Sequence, residues 1–178
     1  TSDTQFYKTD HVNDNGAGGY SWQMTQNFAG NQEAVNSFIR SIETWRCGTL
    51  MNWKLDSNTT LNQLAGDGVN IVRFTDFADN ILGVCWTRRS GCFGSGQILW
   101  YVSELDIEFD STYNWYYGTG STPSNQYDFQ TVATHELGHG HQLGHVIDNT
   151  KIMHYALGAG DRSVDLSTFD QEGGIWVR

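Results

Sequence analysis

One short stretch in the carboxyl-terminal third of the chain, residues 134–145, holds four of the six histidines of this 178-residue protein. Within it, His135, Glu136 and His139 form an H-E-x-x-H pattern. On an α-helix, side chains four residues apart lie on one face, so both imidazoles can bind the same ion. Two neutral imidazoles suit zinc, and the adjacent carboxylate can take a proton from a zinc-bound water. The stretch therefore predicts a helix that carries part of a zinc site.

A catalytic zinc ion usually takes three protein ligands, so a third ligand must come from elsewhere. His141 points away from the first pair if the helix continues. His145 would lie ~15 Å from His135 along a continuous helix, so it can bind only if the helix ends and the chain folds back. In the rival arrangement, an unbroken helix carries His141 and His145 as a second pair, with Gln142 in place of the carboxylate. Two residues further along are minor candidates for the third ligand: Asp148 and His154.

The composition is that of an acidic protein. The formal net charge is −10, with only 10 Lys plus Arg, so neither nucleic acid nor an anionic membrane surface is an expected partner. No apolar run approaches the length of a membrane span, and no signal peptide is visible. A chain of this length is expected to form one domain, and its richness in Gly, Asn, Ser, Thr and Trp favours a secreted, extracellular protein.

The three cysteines suggest one disulfide. Cys85 and Cys92 bracket residues 88–91, which are predicted to form a turn, so a disulfide closing this small loop is expected in an oxidising compartment. Cys47 is left over and is expected to be a buried free thiol. Because the sequence has no C-x-x-C pair, zinc ligation by cysteine is not expected.

Apolar periodicity places the main elements. A helix is predicted between Asn31 as its N-cap and Gly48 as its end, with one apolar stripe of Val35, Phe38, Ile39, Ile42 and Trp45. Alternating or apolar segments predict strands at residues 20–24, 50–55, 69–74, 81–87, 97–102 and 106–110. The histidine-bearing helix is predicted to begin at Asn125, with Asp128 in its first turn.

Three polar or aromatic segments have two interpretations each. Residues 111–124 form an aromatic loop that either contacts a substrate or covers the edge of the sheet. Acidic side chains in the irregular leader, residues 1–19, could hold a structural Ca²⁺ ion, or the leader is a flexible surface segment. Asp106 and Asp110 could do the same, or they belong to a solvated acidic face opposite the inward-facing Ile107 and Phe109.

The sequence resembles the metzincin clan of zinc peptidases, whose pattern is H-E-x-x-H-x-x-G-x-x-H followed by a methionine turn. The pattern is matched at the required spacing by His135, Glu136, His139 and His145. The segment 151–155, Lys-Ile-Met-His-Tyr, resembles the methionine turn.

The chain departs from the clan pattern at one position of the turn. Gln142 occupies the place of the glycine, and Gly144 follows two residues later. Gln142 must then adopt a left-handed conformation at a cost of about 1 kcal/mol, or the turn must form at a neighbouring residue.

The resemblance implies an α+β fold in which a twisted mixed β-sheet carries two long helices above an active-site cleft. It implies one metallopeptidase catalytic domain over residues 1–178, with a matrixin-like upper subdomain over about 1–144. The lower subdomain, over about 145–178, would hold the methionine turn and a final helix near residues 166–175.

The resemblance also implies roles for individual residues. The zinc ligands would be His135, His139 and His145. Glu136 would be the general base that activates the zinc-bound water, and Met153 would form a hydrophobic floor beneath the histidines. The Met-His-Tyr triplet is similar to that of astacins and serralysins, so Tyr155 would be a fifth ligand or an oxyanion donor, or would simply pack.

The implied function is that of a secreted zinc endopeptidase acting on protein or peptide substrates. An extended substrate would align by strand addition near residues 97–102, and we expect a monomer. The alternative is a catalytically silent zinc-containing binding module that uses the aromatic loop, although the intact Glu136 argues against it.

Overall fold

The computed structural model describes residues 20–77, 80–94 and 97–177. The leader at residues 1–19, with its candidate calcium site, lies outside the described residues. The elements in chain order are β1 (Ser21–Met24), α1 (Gln26–Ala29), α2 (Gln32–Thr49), β2 (Lys54–Asn58), β3 (Ile71–Thr75), β4 (Gly83–Gly94), β5 (Gln97–Asp110), β6 (Trp115–Tyr116), β7 (Tyr127–Asp128), α3 (Phe129–Gly140) and α4 (Thr168–Val177).

Five of the strands form one mixed sheet in the order β2-β1-β3-β5-β4. The pairs β1–β2, β1–β3 and β3–β5 are parallel, and only β4 runs antiparallel, against β5. A parallel sheet needs helical crossovers, and α1 and α2 supply one between β1 and β2. The predicted α+β fold, with a mixed sheet and two long helices, is confirmed.

An aromatic core joins the two long helices to one face of the sheet. Phe38 of α2 packs edge-on against Trp22 of β1, with ring centroids 6.2 Å apart, and contacts Phe109 of β5 at 6.1 Å. Phe129, the first residue of α3, lies 4.5 Å from the Phe109 ring. The Trp45 indole of α2 donates a hydrogen bond of 2.8 Å to the carbonyl of Thr134 in α3, which locks the helices together.

Helix α2 follows its prediction closely. The Asn31 side chain accepts a hydrogen bond of 3.1 Å from the Ala34 amide, as an N-cap does. Gly48 does not end the helix, which runs on to Thr49 and is closed by Leu50 in a left-handed conformation (φ 59°). Ile39 is 40% exposed, so it lies at the margin of the stripe and not within the core.

The predicted disulfide is wrong, because Cys85 and Cys92 lie on one continuous strand, β4. Seven residues of strand separate them by about 23 Å at ~3.3 Å per residue, whereas a disulfide needs Cα atoms within about 7 Å. Cys85 is a free thiol. The predicted turn at residues 88–91 is extended strand paired with β5. Cys47 is also free, but it is exposed and not buried.

The acidic row of β5 is buried, so the expected solvated face is wrong as well. Every second residue from 104 to 110 is acidic and buried: Glu104, Asp106, Glu108 and Asp110 are each at most 3% exposed. Arg88 and Arg73 form ion pairs with the first and third of these carboxylates, and the Ile71 amide donates a hydrogen bond of 2.9 Å to Asp106. The opposite face, with Ile107 and Phe109 pointing into the core, is as predicted.

The aromatic loop at residues 111–124 folds onto the core. Trp115 is 7% exposed, packs at 5.3 Å against Phe129, and donates a hydrogen bond of 2.6 Å to the Asp110 carbonyl. Tyr113 and Tyr117 pack against the same core. These three rings therefore contribute to the packing of the core.

The final helix lies where it was predicted. Ser167 and Asp170 exchange hydrogen bonds at the start of α4 in the manner of a capping box. Within the described residues, no helix is long and apolar enough to cross a membrane.

Candidate metal centre

Helix α3 begins three residues later than predicted. Its N-cap is Asp128, whose side chain accepts a hydrogen bond of 2.8 Å from the Thr131 amide, and not Asn125. Asp128 is fully buried and forms an ion pair with Arg162, which compensates its charge. The helix thus enters the core with its first turn anchored.

The helix ends at Gly140 and the chain then reverses. The reversal is made at Gln142, which has a left-handed backbone conformation (φ 64°). Its amide donates a hydrogen bond of 2.8 Å to the carbonyl of His139, and the Leu143 amide donates one of 3.1 Å to the carbonyl of Gly138. The predicted fold-back is present, and of the two alternatives for its turn the structure has the left-handed conformation at Gln142.

The reversal brings three imidazoles to one point. The Nε2 atom of His145 lies 3.1 Å from the Nε2 atom of His135 and 3.1 Å from that of His139. The candidate ligand atoms of the three residues all lie within 4.8 Å of one another. Among the described residues, this is the one group of three or more histidine, cysteine or acidic side chains with a geometry that could hold a metal ion.

Hydrogen bonds at the far side of two rings set their tautomers. The Nδ1 atom of His135 lies 2.8 Å from the carbonyl oxygen of Ile152, and that of His139 lies 2.8 Å from the carbonyl oxygen of Leu143. A carbonyl only accepts, so each Nδ1 carries the proton and each Nε2 presents a lone pair. Backbone carbonyls in this position are the usual outer partners of metal-binding histidines.

The donor set fits zinc. Two nitrogens at ~2.05 Å from a tetrahedral zinc ion are about 3.3 Å apart, close to the spacing of 3.1 Å between these Nε2 atoms. Burial lowers the pKa of His135 to about 3, with the neighbouring His139 adding to the effect. Burial also lowers the pKa values of His139 and His145. All three rings are therefore neutral at physiological pH, which is the form that can bind a metal ion.

Glu136 lies on the same helix, facing the edge strand. It is 5% exposed and accepts a hydrogen bond from the backbone of Cys85 in β4. Gly83 leaves room for it, since a Cβ atom there would lie 3.1 Å from the Glu136 Cγ atom. Burial raises the pKa of the Glu136 carboxyl to about 8, and the Cys85 hydrogen bond opposes this shift. A carboxyl group in such surroundings can exchange a proton near neutral pH.

His141 does not join the other histidines. Its ring lies 4.1 Å from the Trp53 ring and 4.5 Å from the Trp45 ring, on the side of α3 that faces α2. Burial lowers its pKa to about 3, so it packs as a neutral aromatic ring. This is the direction predicted for a residue two positions past His139.

The minor candidates for the third ligand lie outside the cluster. Asp148 accepts hydrogen bonds from the amide and hydroxyl of Thr150. The Nδ1 atom of His154 lies 2.8 Å from the carbonyl oxygen of Ala156. Tyr155 is 63% exposed, and its ring lies 4.6 Å from the His154 ring.

Met153 is packed against the histidine helix. It is 2% exposed, and a Cβ atom at Gly138 would overlap its sulfur. The glycine just before His139 therefore allows the segment that contains Met153 to approach the helix closely. The isolated bridge between Val146 and His154 holds the two ends of the intervening loop together.

Sequence reasoning missed several partners of these residues. The carbonyl groups of Ile152 and Leu143 carry no signal of their own, because every residue has a carbonyl. Arg89 donates a hydrogen bond of 2.9 Å to the Gln142 side chain across 53 residues of sequence. Because a turn is predicted at residues 88–91, the sequence does not predict the long β4–β5 hairpin that positions Arg89.

Comparison with known proteins agrees with this geometry. A family model, peptidase M10 (matrixin), matches residues 86–176, just over half of the chain and all of the histidine stretch. No curated protein matches the chain significantly. The match confirms the resemblance to the metzincin clan and identifies one family within that clan. The chain belongs to the matrixin family of zinc-dependent metallopeptidases.

Proposed function

We propose that this protein is a secreted zinc endopeptidase that hydrolyses peptide bonds in protein or peptide substrates. The observation that carries the proposal is the convergence of three imidazoles, in which the Nε2 atom of His145 lies 3.1 Å from those of His135 and His139, next to a buried Glu136 on the helix that bears the first two. The chain's membership of the matrixin family supports the same conclusion.

The Nε2 atoms of His135, His139 and His145 would hold the ion. Zinc, when bound there, supplies a Lewis acid that polarises the scissile carbonyl and lowers the pKa of a water molecule. The carbonyls of Ile152 and Leu143 keep two of these rings in the ligating tautomer. Met153, packed against Gly138, would form the hydrophobic floor of the site.

Glu136 would act as the general base. Its carboxylate takes a proton from the attacking water and later delivers it to the leaving amine. Its burial favours the protonated form between the two steps, and the Cys85 hydrogen bond holds the carboxyl in place. Tyr155 would be an oxyanion donor or a fifth ligand, and its exposed ring leaves the phenol accessible to a substrate.

The substrate would lie along β4. The sequence places the substrate-binding edge near residues 97–102. In the structure these residues pair with β4 in the hairpin, so β4 and not β5 is the last strand on this side of the sheet. The backbone of Cys85 in β4 also contacts Glu136. An extended peptide added to this edge would run past the proposed base. Secretion, the monomeric state and a single catalytic domain divided near residues 144 and 145 are parts of the same proposal.

The alternative, a silent zinc-containing module that binds through the aromatic loop, has less support. Trp115 is buried and Tyr113 and Tyr117 pack on the core, so these rings are largely committed to the fold. A buried carboxyl on the histidine helix would also have no role in a silent site.

Metal analysis combined with a cleavage assay tests the proposal. We expect one zinc ion per chain and casein cleavage that a chelator abolishes and added zinc restores. A protein that binds zinc but leaves casein and gelatin intact would support the silent module. A protein that retains no metal would contradict both.

Replacing the proposed base separates chemistry from metal binding. Glu136→Ala should retain zinc and lower kcat/KM by about 10²–10⁴-fold, the usual contribution of a general base. Glu43→Ala, at an exposed position of α2, is the matched control and should leave both quantities unchanged. Unchanged turnover in Glu136→Ala would rule out the assignment of the base.

A further inference from the structure

The chain reversal beside the histidine cluster is made by a residue that is not glycine. Gln142 adopts φ 64° where the family pattern has a glycine, and it is 5% exposed. A side chain is disfavoured in this conformation because its Cβ atom crowds the following carbonyl. Contacts with the surrounding structure must therefore stabilise the left-handed conformation of Gln142.

The side-chain amide of Gln142 caps the end of α3. Its Nε2 atom lies 3.3 Å from the carbonyl oxygen of His139 and 3.3 Å from that of Gly140, and donates to both. These carbonyls belong to the last turn of the helix, where the regular intrahelical donors are missing, and that of His139 also accepts the Gln142 backbone amide. A glycine at this position could not make these contacts, so the glutamine adds an interaction that the family pattern lacks.

The other end of the same amide is held by the edge strand. The Gln142 Oε1 atom accepts a hydrogen bond of 2.9 Å from the Arg89 guanidinium. The strand register shifts between Arg88 and Arg89. Arg88 pairs with Glu104 on one face of the sheet, while Arg89 reaches Gln142 on the face that carries α3. The guanidinium thus ties the turn to β4.

The backbone that follows Gln142 serves two of the three histidines. The next carbonyl, that of Leu143, lies 2.8 Å from His139 Nδ1 and sets the tautomer of that ring. Three residues after the turn, His145 reaches the Nε2 atoms of the first pair. The conformation at Gln142 therefore controls both the orientation of His139 and the arrival of His145.

We propose that Arg89 and Gln142 form a side-chain clamp that takes the place of the family's turn glycine and positions His139 and His145 as metal ligands. The inference rests on the metal site of the proposed function. Both are positioning residues: they hold the backbone at the turn, and neither supplies an atom to the candidate ligand group. The clamp also makes the metal site depend on β4, the strand proposed to receive the substrate.

The test measures zinc affinity in the full chain by competition with a chromophoric chelator, for four variants. Arg89→Met should weaken zinc binding by about 10–100-fold, the usual effect of losing an outer partner of a metal ligand. Gln142→Ala should weaken it at least as much, because it loses the clamp and keeps the left-handed strain. Gln142→Gly should lose less, because glycine needs no clamp to make the turn.

The decisive variant is the double substitution. If the arginine acts through the glutamine, Arg89→Met should change zinc affinity by less than about twofold when added to Gln142→Gly. An equal loss in both backgrounds would overturn the clamp, and so would wild-type affinity in Arg89→Met. Arg46→Met, at a side chain that is 40% exposed, and Gln32→Ala, at an exposed position of α2, are the matched controls.

A spectroscopic measurement distinguishes positioning from a general loss of stability. Co²⁺ in the three-histidine site should give a visible absorption band whose position and intensity change in Arg89→Met and Gln142→Ala at temperatures well below unfolding. An unchanged spectrum with unchanged zinc affinity would refute the clamp. Absence of metal binding in the wild type would instead refute the proposed function. Should Gln142→Ala not fold, Arg89→Met and Gln142→Gly still decide the matter.

Discussion

The chain contains two histidine pairs with the same spacing, and the structure treats them in opposite ways. His135 and His139 stay together on α3 and present their Nε2 atoms to one point. His141 and His145 are separated by the reversal at Gln142: the first is buried between two tryptophans and the second joins the cluster. Equal spacing in sequence therefore does not mean equal roles, because one backbone conformation lies between the members of the second pair.

The partners of each ring explain this difference. Position 141 comes about 200° round the helix axis from position 139, so its side chain turns towards α2. There Trp45 and Trp53 enclose the ring, and the Thr49 hydroxyl lies 3.4 Å from its Nε2 atom. A ring held among aromatic side chains contributes packing, whereas rings with carbonyl partners and converging lone pairs form a candidate ligand set.

The largest expected effect separates His139 from His141 by zinc affinity. His139→Ala should weaken zinc binding by more than ~100-fold, beyond the loss seen for outer partners alone. His141→Ala should keep one zinc ion per chain. Equilibrium competition with a chelator measures both. If the two variants exchanged these outcomes, the rival arrangement with an unbroken helix would have to be reconsidered.

The next prediction concerns the free energy of unfolding, which should change on substitution of His141. Truncating a ring enclosed by two indoles leaves a cavity, so His141→Ala should lower the free energy of unfolding by about 3 kcal/mol. His141→Phe keeps the ring and should cost clearly less. Urea unfolding at saturating zinc measures both. Equal losses for alanine and phenylalanine would mean that the hydrogen bond, and not the packing, is what matters at this position.

The smallest effect compares the two glycines that flank His139. A Cβ atom at Gly138 would overlap the Met153 sulfur, so Gly138→Ala should lower the free energy of unfolding by about 2 kcal/mol. At Gly140 the nearest atoms, on Leu105 and Trp53, would be at an ordinary 3.6 Å, and alanine should be neutral or slightly stabilising. Thermal unfolding of both variants checks this, and a tolerated Gly138→Ala would contradict the close approach of the Met153 segment.

Much of the site could be predicted because it depends on local geometry. The four-residue spacing of His135 and His139, the need for a third ligand and the distance to His145 together favoured a reversal over an unbroken helix, and the family pattern placed that reversal at Gln142 or a neighbouring residue. What could not be predicted was how that reversal is held. Besides the nearby carbonyls of His139 and Gly140, its support is Arg89, which becomes a neighbour of Gln142 only once β4 lies beside α3.

The errors in the fold have a common physical origin. A turn was predicted at residues 88–91 and a solvated face at Asp106 because small and charged residues usually mark the surface. In the structure these residues form the long β4–β5 hairpin, where arginines and backbone amides compensate the buried carboxylates. Ion pairing between distant segments reverses the local preference of such residues for water. The same hairpin separates Cys85 from Cys92 and removes the expected disulfide.

The sequence by itself determined the composition of the site: two histidines on one helical face, a carboxylate beside them, and a third histidine that only a reversal could bring back. Those features follow from the fixed pitch of the α-helix and from the ligand preferences of zinc. Only the tertiary structure decided which partners surround each group. Burial against α2 makes His141 a packing ring, and burial raises the pKa of the Glu136 carboxyl above its ordinary range although the hydrogen bond from β4 opposes the shift. The Arg89 contact secures a turn that has glutamine, and not glycine, at its left-handed position.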